Sequence, residues 1–147
     1  MVIPNEIILV DNASSDASIG IVRCYPSVRV LAQNQNLGFS RGNNVAIKEA
    51  AAESEWIALL NPDAFPDPHW LEALLSAARD NPAYDVFGSK LVKAADPAVL
   101  DGVGDVYHMS GLLWRERHEV PQQDGDLVFR EIFSPCAAAA LYRRQAL

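Results

Sequence analysis

Two short polar turns hold the residues best suited to chemistry. Asn61-Pro62-Asp63 follows the apolar run Trp56 to Leu60, and Asp11 closes the apolar run Glu6-Ile7-Ile8-Leu9-Val10. Pro62 fixes one φ angle and biases Asn61 towards extended backbone, so both flanking side chains leave a stiff turn. One carboxylate and one amide oxygen form a sparse all-oxygen set, which suits a divalent metal whose other ligands are phosphates and water. The competing reading is a tight turn with a helix cap. Asp11 could accept hydrogen bonds from ribose hydroxyls or a base N–H, or it could cap the helix that follows, a task Ser14 or Ser15 could also do. A longer loop, Gln33 to Asn44, carries Gly38 and Gly42, which permit close backbone approach or positive φ, and Arg41, which could pair with a phosphate. A capped helix entry with Arg41 in solvent is the plainer alternative. The loop is neither a Walker loop nor GxGxxG.

The elements that must carry these loops alternate. Strands are expected at 6–11, 28–32 and 56–60, and helices at 18–24, from the polar loop to about residue 52, and at 70–79 with Trp70, Leu71, Leu74 and Leu75 facing inward. This predicts a doubly wound, mostly parallel sheet flanked by helices, with the three polar loops emerging on one carboxyl edge. After Asn81-Pro82 the pattern loosens. Short strands are expected at 85–88, 106–113, 127–133 and 137–142, with a loop-rich stretch from Lys93 to Gly104, forming a mixed C-terminal extension. The chain reads as one domain over 1–147, with a donor-binding half at 1–80 and an acceptor-side half at 81–147.

Composition narrows the partners. Of 147 residues, half are hydrophobic and 21% charged, enough for one core of domain size. A net charge of −7, with twelve scattered Lys and Arg, argues against nucleic acid. A phosphate-bearing small molecule is still compatible, because metal ions and helix N-termini bind anions without a basic surface. Cys24 and Cys136 show no metal or redox spacing and read as reduced core thiols of a cytoplasmic protein. No transmembrane segment is expected, nor a signal peptide at Met1 to Pro4.

Taken together, Val10-Asp11-Asn12-Ala13-Ser14-Ser15-Asp16, Asn36-Leu37-Gly38-Phe39 with Gly42-Asn43-Asn44, and Leu60-Asn61-Pro62-Asp63-Ala64 closely resemble the family 2 glycosyltransferases. The likeness is greatest to the rhamnosyltransferase-like branch that builds bacterial surface polysaccharides. Order and spacing agree from residue 6 to about 75, and Ser134 to Arg144 resembles the family's Gly-Ala-Ala segment before an Arg-Arg pair, with Cys136 where glycine is common. The resemblance implies a GT-A, Rossmann-like fold and an inverting transfer from a nucleotide-diphosphate sugar to a saccharide or lipid-linked acceptor, placed in the cytoplasm or at the inner face of the membrane. It assigns Asp11, Asn12, Ser14, Asn36, Gly38, Arg41, Asn44, Asn61 and Asp63 to the donor, with Asp63 and Asn61 holding Mg²⁺ or Mn²⁺. Asn61 departs from an Asp-x-Asp motif and supplies only a neutral amide.

Two departures are larger. The family's opening strand and helix have no counterpart before Glu6. Its acidic Glu-Asp motif, which carries the general base, falls beyond Leu147. An inverting transfer needs a base for the acceptor hydroxyl, and Asp101 and Asp105 are the candidates within the chain. The expectation is therefore a partial domain, prone to self-association through an uncovered edge. Two other functions compete: a catalytically silent nucleotide-sugar-binding or interaction module, and a nucleotidyltransferase. The last would want a Gly-rich basic loop after the first strand, and Asp11 to Asp16 is not one.

Overall fold

The structure, a computed structural model, describes residues 2–147, apart from the side chain of Leu127. It divides into two compact units, residues 3–55 and residues 56–146.

The first unit begins with β1 (Ile7–Asp11), α1 (Ser18–Val22), β2 (Val28–Ala32) and α2 (Phe39–Glu49). β1 and β2 pair in parallel with Ile7 opposite Val28 and Asp11 opposite Ala32. Parallel neighbours need a crossover connection, and α1 supplies it. The Asp16 carboxylate accepts the Ser18 N–H at 2.9 Å just ahead of α1, whose N-cap is Ala17 with no side-chain cap bond, so none of Asp11, Ser14 or Ser15 caps the helix. α2 packs on β1. At the other end of the strands Glu6 ties the layers together: its carboxylate accepts the Ala51 N–H at 3.1 Å and lies 3.4 Å from the Arg29 guanidinium.

The second unit is built round a three-stranded sheet in the order β3 (Trp56–Leu60), β9 (Ala139–Arg143), β4 (Val86–Gly88). Both pairings are antiparallel. α3 (Trp70–Asp80) lays Leu74 and Ala78 on this sheet against Phe87 and Leu141, with Trp56, Trp70, Leu71 and Leu75 around them. Burial on both faces explains the small residues of β9: Ala139 and Ala140 are 5% and 0% exposed. Trp70 donates its indole N–H to Ser89 Oγ at 2.8 Å, satisfying the polar atom that its burial would otherwise strand. Arg143 lies over the Trp56 ring at 4.3 Å and bonds the Asp85 carboxylate at 2.7 Å. Two small antiparallel pairs complete the unit, β5 (Leu91–Val92) with β6 (Leu100–Gly102) and β7 (Asp105–Tyr107) with β8 (Leu113–Arg115).

The protein is thus α/β, but the expected mostly parallel sheet holds only for β1 and β2 among the described residues. β3 pairs antiparallel with β9. A buried apolar run such as Trp56 to Leu60 reads the same in either orientation, so its neighbour decides. The strand expected at 106–113 is a hairpin, with Gly111 at φ +86° making the turn. The strand expected at 127–133 is instead the end of a 3-10 helix (Asp124–Leu127) and irregular chain. The loop-rich stretch contains β6. Cys24, read as a core thiol, is exposed, whereas Cys136 is half-buried.

Candidate functional site

The first unit presents two of the expected loops side by side. Asp11 ends β1 and is buried, 7% exposed. Its two carboxylate oxygens each accept the Ser14 N–H at 3.3 Å, which turns the chain sharply after the strand. Within that turn Ala13 sits at φ +61°, in the left-handed region that non-glycine residues occupy only when their surroundings hold them there. The second loop is shaped by Asn36, whose side-chain oxygen accepts the Gly38 N–H at 2.8 Å. Gly38 then takes φ +76°, ψ 175° and begins α2 with no side-chain cap. The first N–H groups of α2 are therefore open to an anion. Arg41, in this first turn, is exposed and makes no ion pair among the described residues; Ser14 and Asn44 are exposed as well.

Asn12 joins the loops. It donates Nδ2–H to the Gly38 carbonyl at 3.3 Å and accepts the Leu37 N–H on Oδ1 at 3.4 Å. The structure therefore brings together Asp11, Asn12, Ser14, Asn36 and Gly38. The link made by Asn12 was not visible in the sequence, where it read only as a donor contact.

The second unit carries the third loop. Asn61 follows β3 and donates its backbone N–H to the Ala138 carbonyl at 2.8 Å; its own carbonyl accepts the Ala64 N–H at 3.1 Å. This closes a tight turn that leaves Asp63 exposed. Among the described residues no group of three His, Cys, Asp or Glu side chains could hold a metal ion. Asp63 and Asn61 alone thus do not make a resident metal site.

Asp101 and Asp105 are both engaged. Asp101 pairs with the Arg115 guanidinium and lies 3.5 Å from His118, whose Nδ1 also meets the Asp101 carbonyl at 2.8 Å. Arg115 reaches Cys136 Sγ at 3.4 Å as well. Asp105 accepts the Ser134 hydroxyl at 3.4 Å, and the backbones of the two residues bond at 2.8 Å. Nearby, burial pushes the Tyr142 phenol above its usual range, with Cys136 and Asp105 adding to the rise. This network links β6, β7 and β8 to the Ser134–Cys136 segment ahead of β9. Its members are too far apart in sequence for any motif to have shown it.

Comparison with known proteins shows the family. The family description "Glycosyl transferase family 2" matches residues 3–147, and the chain belongs to that family. Two curated relatives, from Mycobacterium tuberculosis strains CDC 1551 / Oshkosh and ATCC 25618 / H37Rv, are each named N-acetylglucosaminyl-diphospho-decaprenol L-rhamnosyltransferase. Each is 32% identical to this chain over 114 residues, which is 71% of this chain and 34% of the relative. The chain therefore spans about a third of the length of the curated relatives it matches.

Proposed function

We propose that this chain carries the donor site of a glycosyltransferase that moves a sugar from a nucleotide-diphosphate carrier, with inversion, to a saccharide or lipid-linked acceptor in cell-surface polysaccharide synthesis. The observation that carries this is the buried carboxylate of Asp11 at the carboxyl end of a parallel strand pair. Ligands of open α/β sheets are held there. Family membership supports a GT-A fold, and the acceptor named for the relatives supports a lipid-linked one here.

In this reading Asp11 receives the ribose or base, with Ser14 held at its carboxylate and Asn44 assigned to the donor by the resemblance. The open N–H groups of α2 and Arg41, which makes no ion pair among the described residues, take diphosphate charge. In the second unit the resemblance assigns Asp63, with Asn61, to Mg²⁺ or Mn²⁺. The donor set fits such an ion only when diphosphate and water complete its shell, so the ion travels with the donor. When bound, it offsets the leaving group's charge. A place at the inner membrane face follows from the acceptor; among the described residues no helix is long and apolar enough to cross a membrane.

A second reading, a nucleotide-sugar-binding module without its own chemistry, is favoured by one observation. Asp101 and Asp105, the base candidates, are both held by partners within the second unit. An acceptor hydroxyl would have to share these carboxylates with the partners that already hold them. Calorimetric titration with UDP, GDP and dTDP tests what the two readings share. Binding by the wild type that falls at least tenfold in Asp11→Ala supports the donor site. Equal affinity in both proteins would remove Asp11 from it.

A further inference from the structure

Asn12 stands between the two loops of the first unit, and both ends of its amide face protein groups. Nδ2 meets the Gly38 carbonyl at 3.3 Å and Oδ1 meets the Leu37 N–H at 3.4 Å. The same amide rests against α2. A Cβ placed on Gly42 would lie 3.1 Å from Asn12 Nδ2 and 3.5 Å from Oδ1, and Gly42 is buried. Gly42 also donates its N–H to the Gly38 carbonyl at 3.1 Å, the same oxygen that Asn12 reaches. Asn12, Gly42 and, through its acceptance of the Gly38 N–H, Asn36 therefore converge on the residue that precedes α2. Gly38 holds a backbone conformation that only glycine adopts comfortably, and the cap lacks a side chain of its own.

We propose that Asn12 is a positioning residue: it locks the Leu37–Gly42 turn to the Asp11 loop, so that the first N–H groups of α2 and Arg41 are set for the donor's diphosphate, and Gly42 is glycine to leave room for it. This rests on the donor-site reading above. Asn12 acts through the loop and does not itself touch the donor.

The consequence is a coupling that ordinary destabilisation would not produce. Alanine is a better helix former than glycine, so Gly42→Ala favours α2 by itself. Its methyl group nevertheless pushes on the Asn12 amide and should loosen the lock. The experiment is a double-mutant cycle read by calorimetric titration of the full 147-residue chain with UDP, GDP and dTDP, with thermal unfolding measured in parallel. Asn12→Ala is expected to weaken the tightest-bound nucleotide about tenfold, the effect of losing one or two neutral hydrogen bonds. Gly42→Ala is expected to weaken it several-fold with the unfolding temperature unchanged or higher, and to have no effect when Asn12 is already alanine. Affinity unchanged by both single substitutions, or additive losses, would overturn the proposal. If Asn12→Ala does not fold, Gly42→Ala alone decides: wild-type affinity overturns the proposal, and weaker binding with intact stability supports it. A wild-type chain that binds no nucleotide would instead overturn the donor-site reading.

Discussion

Gly38 allows backbone strain to be separated from crowding. A Cβ on Gly38 would meet nothing within 4 Å, yet the residue sits at φ +76° and ψ 175°. Gly38→Ala should cost about 1–3 kcal/mol in urea unfolding purely through the backbone, or relax by shifting the start of α2. In the relaxed case stability is kept and nucleotide affinity falls. Unchanged stability together with unchanged affinity would show that the turn tolerates a side chain. Titration offers a second check. Hydrogen bonding to Glu72 raises His69 above its ordinary value of 6.5, and the same bond lowers Glu72 below 4.5. His69, raised, stabilises fully below pH 6.5 and loses that contribution as pH rises through its folded value. Glu72, lowered, stabilises fully above pH 4.5 and loses that contribution as pH falls through its own. The pair thus acts between these limits. Both groups are solvent-exposed, so NMR titration is the measure: Glu72→Gln should return the His69 midpoint towards 6.5. Asp11, Asn36 and Asp63 were legible as polar residues after apolar runs. What could not be read was which of them serve the chain itself, because a loop asparagine has the same sequence signature whether it meets a ligand or a neighbouring carbonyl.

At the scale of elements, long apolar runs were legible and their partners were not. β2 and β3 lie at the residues expected, since five apolar-rich residues between turn formers leave little choice. β5, β6, β7 and β8 have two or three residues each, too short to show a period. The 127–133 stretch has strand composition, but its aromatics serve side-chain packing: Phe129 lies edge-on to Tyr84 at 6.3 Å and tilted on Phe87 at 6.5 Å. Shape also constrains β4. A Cβ on Gly88 would meet Pro135 Cβ at 2.7 Å, closer than real Cβ contacts come. Gly88→Ala should therefore destabilise by about 1–3 kcal/mol, the usual cost of overpacking, with m unchanged in denaturant titration. A neutral result would show that the Pro135 turn moves freely.

For the whole molecule, the acidic charge argued against nucleic acid from composition alone, and the structure shows which apolar side chains lie on strand edges. Ile7 on β1 and Leu60 on β3 are 45% and 44% exposed, and each strand has an edge unpaired among the described residues. Such edges favour pairing with another copy. Sedimentation of the 147-residue chain should show concentration-dependent association that Ile7→Lys reduces; a monomer at all concentrations would contradict this. The central claim is that the two polar loops of the first unit serve one class of ligand, a nucleoside diphosphate bearing a sugar. The most direct measurement is an NMR titration of the labelled chain with UDP, GDP and dTDP, each with Mg²⁺ and again with EDTA. The account predicts saturable shifts at Asp11 to Ser14 and Leu37 to Gly42, reached at lower nucleotide concentration with Mg²⁺ than with EDTA. Shifts confined to other residues, or none at all with any of the three nucleotides, would contradict it.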